Sequence, residues 1–277
     1  MIRILTDTTS DLSEEVLKTY GIETIPMYIQ VNGKVYRDME EISPRVLFDQ
    51  VVQTGKYPTT SAPSPEDFFH FLKDKTPAIY IGVSSQLSST FQNAQLALRE
   101  LGEKTIDLID SLSISTGYGQ TVLQAAKWRN EGMGFIELGK KIREMVQRTR
   151  GIFILDTLDY LYHGGRCKAV EHFVASLLKI HPFLEIQPEG TLRVLQKVRG
   201  SRMRAVRALR NYFIEQISLH QVRRVVITHL DCADEVDYLV QEIREESPLM
   251  DIQTAQVGCV LATHSGPKPL GIAYEVA

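Results

Sequence analysis

The chain has 277 residues, with 31 Lys and Arg against 34 Asp and Glu, a formal charge of −3. Its 43% hydrophobic and 23% charged residues are ordinary globular proportions, which exclude disordered, collagen-like and low-complexity classes. The near balance of charge argues against a dedicated nucleic-acid binder, and the length leaves room for two domains.

Residues 2–6 read as a buried strand, followed by the polar turn Asp7-Thr8-Thr9-Ser10-Asp11 and a helix from about Leu12 to Tyr20. Residues 22–31 form one extended run ending in Asn32-Gly33, a hairpin signal, with residues 34–37 returning antiparallel. A helix over residues 44–53 has Ser43 as its N-cap and Pro44 at its first position. Residues 57–65 hold three prolines and four hydroxyl residues and read as a loop, with Ser64-Pro65 starting the next helix. Strands over 78–83 and 105–109 then alternate with helices over 90–101, 116–130 and 135–148. Alternation of this kind implies parallel strands joined by crossover helices, with ligands at the strands' carboxyl ends.

From about Gly151 the texture changes. A strand over 152–155 and a helix over 168–180 precede a hairpin, 184–187 and 192–198, turning at Pro188-Glu189-Gly190. A helix over 202–218, a strand over 224–229, a helix over 233–246 and strands over 251–257 and 272–276 close the chain. The expected fold is α/β with two domains. Residues 1–150 form a three-layer domain on a parallel sheet, and residues 151–277 an α+β domain on a mixed sheet.

Cys167, Cys232 and Cys259 are odd in number, widely spaced and without a C-x-x-C, which fits a reducing compartment and no structural zinc. The first apolar run is too short for a signal peptide, and no stretch reaches the ~18 apolar residues of a membrane helix. The expected location is the cytoplasm. There is no G-x-x-x-x-G-K-[ST], no H-E-x-x-H and no G-x-S-x-G. Neither a cofactor nor a metal is expected; a hydrolase built on loop serines remains the second reading.

Three segments combine hydroxyl donors with tight backbone: Thr60-Ser61-Ala62-Pro63-Ser64, Ser84-Ser85-Gln86-Leu87-Ser88-Ser89-Thr90, and Ala262-Thr263-His264-Ser265-Gly266-Pro267. The second opens a helix, whose free N–H groups suit a carboxylate or phosphate. Taken singly, each is a cap or a turn. A fourth, Leu158 to Arg166, ends in Gly164-Gly165-Arg166, where the glycines let backbone approach and the arginine offers a fork for a carboxylate.

Together these motifs resemble the DegV family of bacterial fatty-acid-binding proteins. The likeness spans the chain. It rests on Asp7 to Leu12, Thr60-Ser61-x-Pro63-Ser64, Ser84-Ser85-x-Leu87-Ser88-x-Thr90, Asp110-Ser111, Leu158-x-x-Leu161-x-x-Gly164-Gly165-Arg166, Lys197-Val198-Arg199-Gly200 and Thr263-His264-x-Gly266-Pro267. Ala62, Ser89, Cys167-Lys168 and Lys268-Pro269 depart from the family's usual residues. The resemblance implies one long-chain fatty acid in a tunnel between two domains. It implies that Thr60 and Ser88 hold the carboxylate, with Arg166 and His264 nearby; Ser61, Ser89 and Thr90 of the same hydroxyl segments are further candidate ligand-binding residues. It also implies a non-enzymatic subunit that presents the acid to a separate fatty-acid kinase. A small-ligand regulatory sensor is the other alternative.

Arg193, Lys197, Arg199, Arg202, Arg204, Arg207 and Arg210 make a basic stretch with no acidic residue inside it. Arg199 and Arg202 are candidate docking residues for an acidic partner or for transient contact with a membrane surface. Without an aromatic platform the stretch does not read as a nucleic-acid site.

Overall fold

The computed structural model describes residues 1–73, 77–166 and 180–276. Its first half runs β1 (Arg3–Asp7), α1 (Glu14–Tyr20), β2 (Ile22–Ile25), β3 (Tyr28–Val31), β4 (Lys34–Arg37), α2 (Pro44–Thr54), β5 (Thr59–Ser61), α3 (Pro65–Leu72), β6 (Ala78–Gly82), α4 (Thr90–Leu101), β7 (Ile106–Asp110), α5 (Thr116–Asn130) and α6 (Phe135–Arg148). The rest runs β8 (Thr149–Ile154), α7 (Asp159–Gly164), β9 (Ile180–Ile186), β10 (Leu192–Arg199), α8 (Arg202–Leu219), β11 (Arg224–His229), α9 (Ala233–Glu246), β12 (Asp251–Gln256), α10 (Cys259–Ser265) and β13 (Leu270–Glu275). No helix among the described residues is long and apolar enough to cross a membrane.

The fold is α/β in two parts. The first is a parallel sheet in the order β2-β1-β6-β7. One face packs on α1, α5 and α6 through Ile4, Ile81, Val122 and Ile142. The other packs on α3 and α4 through Leu5, Tyr80, Phe68 and Ala94. Both faces are covered, so β6 is buried along its whole length and reads as an unbroken apolar run. The second part is a six-stranded mixed sheet, β10-β9-β8-β13-β11-β12, antiparallel except for the β11–β12 pair. Helices α8 and α9 cover one face with Leu209, Phe213 and Leu239.

Helix α5 lies between the two sheets, and Thr116 to Val122 are all buried, so it has no solvent face to pattern over those residues. Gly119 is essential to that fit. A Cβ there would run into the carbonyl oxygen of Ser10.

Three expectations are corrected. The extended run over 22–31 is two strands in two sheets, because Pro26 separates β2 from β3 and has no N–H for a ladder. The proline-rich loop contains β5, an edge strand paired only with β3, an arrangement that leaves Pro58 and Pro63 outside the ladder. Residues 259–265, in part a segment read as a turn, form a short helix, and residues 159–164 form another. The Asn32-Gly33 hairpin forms with φ of 50° and 75°, as a type I′ turn needs. Apart from Ile180, which opens β9, the helix expected over 168–180 lies outside the described residues, as does Cys167.

The last segment does not stay with its own sheet. Val257, Cys259, Val260 and Ala262 pack with Met27, Ile29, Val31 and Leu47 of the first half. This returns α10 to the three-stranded sheet β4-β3-β5 and α2 of the first half.

Candidate functional site

Between the two sheets lies a cavity of about 1000 Å³, its mouth included. Its lining is almost wholly apolar. The floor is the face of the mixed sheet turned away from α8 and α9, with Phe153 on β8, Leu155 just after it, and Gly271 and Ala273 on β13. The walls come from the loop after β6, the start of α5, Leu161 on α7 and Val260 on α10.

Polar groups meet at one end. Ser88, Arg166 and His264 all line the cavity there, and Arg166 is the one charged residue among the described lining. Arg166 follows the left-handed cap Gly165 and donates to the Gly164 carbonyl (2.6 Å) and, from Nε, to the Leu87 carbonyl (3.4 Å). Part of it is exposed to solvent, so this end opens at the surface. Burial of the rest lowers its pKa, yet a guanidinium stays charged at neutral pH.

His264 is the deeper group. Its Nε2 hydrogen-bonds the Thr60 hydroxyl at 2.8 Å, while its Nδ1 is buried without a partner. Gly164 faces the ring and leaves no room there for a side chain. Burial, and then the positive charge of Arg166, push the His264 pKa down to about 3, so the imidazole is neutral at physiological pH. Ser88 and Thr90 join hydroxyls at 2.7 Å, and the Thr90 hydroxyl donates to the Met27 sulfur (3.3 Å).

The residues singled out in the sequence are therefore placed in three ranks. Ser88, Arg166 and His264 face the cavity; Thr60 and Thr90 stand behind His264 and Ser88; Ser61 and Ser89 are exposed outside the lining. Strand alternation separates Thr60 from Ser61. The strands before Thr60 and Ser88 are not neighbours, since β5 belongs to the three-stranded sheet β4-β3-β5. The segments meet instead through an Asn93 side-chain bond to the Pro63 carbonyl (2.7 Å).

Arg202 is held inside the protein by Asp156 and Glu235, each at 3.5 Å, and by the Lys268 carbonyl. Arg193 and Arg210 are also paired, with Glu185 and with Glu242 and Glu246. Arg199, Arg204 and Arg207 are exposed. Among the described residues no three His, Cys, Asp or Glu side chains gather as a metal ion would need.

Two acidic residues that the sequence reading did not assign to the site hold α10, and with it His264, in place. Asp11 accepts the Gly258 N–H (2.9 Å) and the Ser115 hydroxyl; Asp38 accepts the Cys259 N–H (3.1 Å). Burial raises Asp11 to about 8 and Asp38 to about 6. A carboxyl raised in the folded state contributes most below its unfolded value near 4 and loses that contribution as pH rises through its folded value. Asp11→Asn keeps an acceptor for Gly258 and cannot ionise. The wild-type Tm should fall relative to Asp11→Asn between about pH 5 and pH 8 and then run parallel to it. Parallel Tm curves across that whole range, measured by calorimetry, would exclude this role.

Comparison with known proteins agrees with this architecture. A DegV domain-containing protein of Caldanaerobacter subterraneus is 33% identical over 99% of this chain and 98% of its own. A DegV family protein from Thermus thermophilus, solved for its fatty acid binding, superposes with a TM-score of 0.88 at 28% identity, covering 100% of this chain and 99% of its own. A DegV lipid binding protein from Thermotoga maritima does so with a TM-score of 0.84 at 30% identity, covering 99% of this chain and 98% of its own. The model described as "Uncharacterised protein, DegV family" matches residues 1–277, and the chain belongs to that family.

Proposed function

We propose that this protein binds one long-chain fatty acid, tail in the apolar cavity and carboxylate at the end formed by Ser88, His264 and Arg166. The observation that carries the reading is a largely apolar cavity whose one charged residue among the described lining is a cation at its mouth. An acyl chain gains about 0.8 kcal/mol per methylene buried there. A carboxylate is costly to desolvate unless it is paired and hydrogen-bonded, and Arg166 with the Ser88 hydroxyl meets both needs. The fatty-acid-binding Thermus relative, matched over 99% of its length, supports the same reading.

The carboxylate end lies where Arg166 reaches solvent, which suits handing the acid to a separate kinase. The exposed Arg199, Arg204 and Arg207 are the groups such a partner, or an anionic membrane surface, would meet. The hydrolase reading is disfavoured by two observations. Ser88 pairs with Thr90 and His264 with Thr60, so the site's serine and histidine are not joined. A histidine that protonates only near pH 3 is also a poor base at neutral pH.

Native and denaturing mass spectrometry of the purified protein tests this directly. One carboxylic acid per chain, present in the native spectrum and released on denaturation, is the expected result. A protein that carries none, and takes none up from a fluorescent fatty acid, does not have this function.

A further inference from the structure

Away from its polar end the cavity is lined by glycines around one isoleucine. Along β8 the inward residues are Phe153 and Gly151, with Leu155 just beyond the strand's end. Leu155 packs with Leu161 of α7, on the side of Arg166, so Gly151 lies at the far end, about 13 Å along the strand. Around Gly151 the floor is small: Ala273 is its register partner on β13, and Gly271 follows two residues away. The β8–β9 register, Ile152 against Glu185, sets Ile186 beside Gly151. The Ile186 side chain lies across the gap. Its Cδ1 is 2.6 Å from where a Cβ on Gly151 would stand and 3.9 Å from where one on Gly117 of α5 would stand. Ile186 is 7% exposed and lines the cavity.

We infer that Ile186 is the stop at the tail end of the acyl tunnel and sets the longest chain the protein accepts. The inference rests on the reading that an acyl chain occupies the cavity. Ile186 spans two positions, Gly151 and Gly117, that have no side chain of their own. Shortening it should extend the tunnel. Crowding it from Gly151 should do the reverse, because an added methyl must push the Ile186 terminus toward the cavity.

The test is a chain-length series of saturated acids, twelve to twenty carbons, displacing a fluorescent fatty acid from wild type, Ile186→Ala and Gly151→Ala. Ile186→Ala should move the optimum about two carbons longer, with roughly tenfold tighter binding of the acid just beyond the wild-type limit. Gly151→Ala should move it shorter. Should Ile186→Ala fail to fold, Ile186→Val gives a smaller shift in the same direction. Acids that bind all forms with an unchanged chain-length ranking would overturn the role of Ile186 alone. A wild type that binds no acid of any length would overturn the fatty-acid reading and this inference with it.

Discussion

Arg166→Gln is expected to weaken fatty-acid binding by about tenfold or more, the largest loss from any single change at the polar end. Gln keeps a shorter polar, hydrogen-bonding side chain and removes the charge. Arg166 is the one charged residue among the described lining, and neutral His264 does not replace it. A hydrogen bond to a charged group contributes about 1.5 to 3 kcal/mol, and solvent at the exposed guanidinium screens part of that. The loss should therefore shrink at high ionic strength. A fatty-acid methyl ester, with no charge to hold, should bind wild type and Arg166→Gln almost equally. Displacement assays with acid and ester on both proteins check this. If both ligands weaken together, Arg166 shapes the mouth and does not pair with a carboxylate.

Gly119→Ala is expected to be the most damaging small substitution in the fold. Its new Cβ would meet the backbone oxygen of Ser10, with the Leu12 side chain at 3.6 Å behind it. A side chain could swing aside, but the Ser10 oxygen belongs to a buried turn. Nor can α5 retreat, since residues 116–122 are buried between the two sheets. Overpacking of this kind costs about 1 to 3 kcal/mol, and a backbone obstacle places it at the upper end. For a chain of this size the fall in Tm should be roughly 5 to 10 °C. Gly134→Ala is the control, because its φ is −71° and a Cβ there would meet nothing within 4 Å. Calorimetry that finds Gly119→Ala as stable as that control would show that the turn yields.

The damage would also travel. The Ser10 turn carries Asp11, and Asp11 holds the start of α10 through Gly258. Gly119→Ala should thus lower ligand affinity as well as stability, whereas a change in the α8–α9 core should lower stability alone.

Helices α4, α5, α6 and α9 and strand β11 were legible in the sequence to the residue, because apolar runs and the glycine and polar turn residues that bound them are local signals. The parallel sheet followed from alternation of strand and helix. The polar residues of the mouth were legible as motifs, since hydroxyls, glycines and a lone arginine stand out against apolar flanks. Their ranking was not. Thr60 and Ser61 are adjacent in the sequence, and only the pairing of β5 with β3 turns one inward and the other to solvent. Helix α10 was missed because seven residues are too few to show a helical period. Its N–H groups are satisfied by Asp11 and Asp38, more than 200 positions away. The same holds for Arg202, a docking candidate by composition that the fold commits to Asp156 and Glu235. The amino-acid sequence by itself determined which segments become strands and helices and which chemistry the loops carry. Tertiary structure alone decided which of those groups share a cavity, because long-range pairing and burial depend on neighbours that no local pattern names.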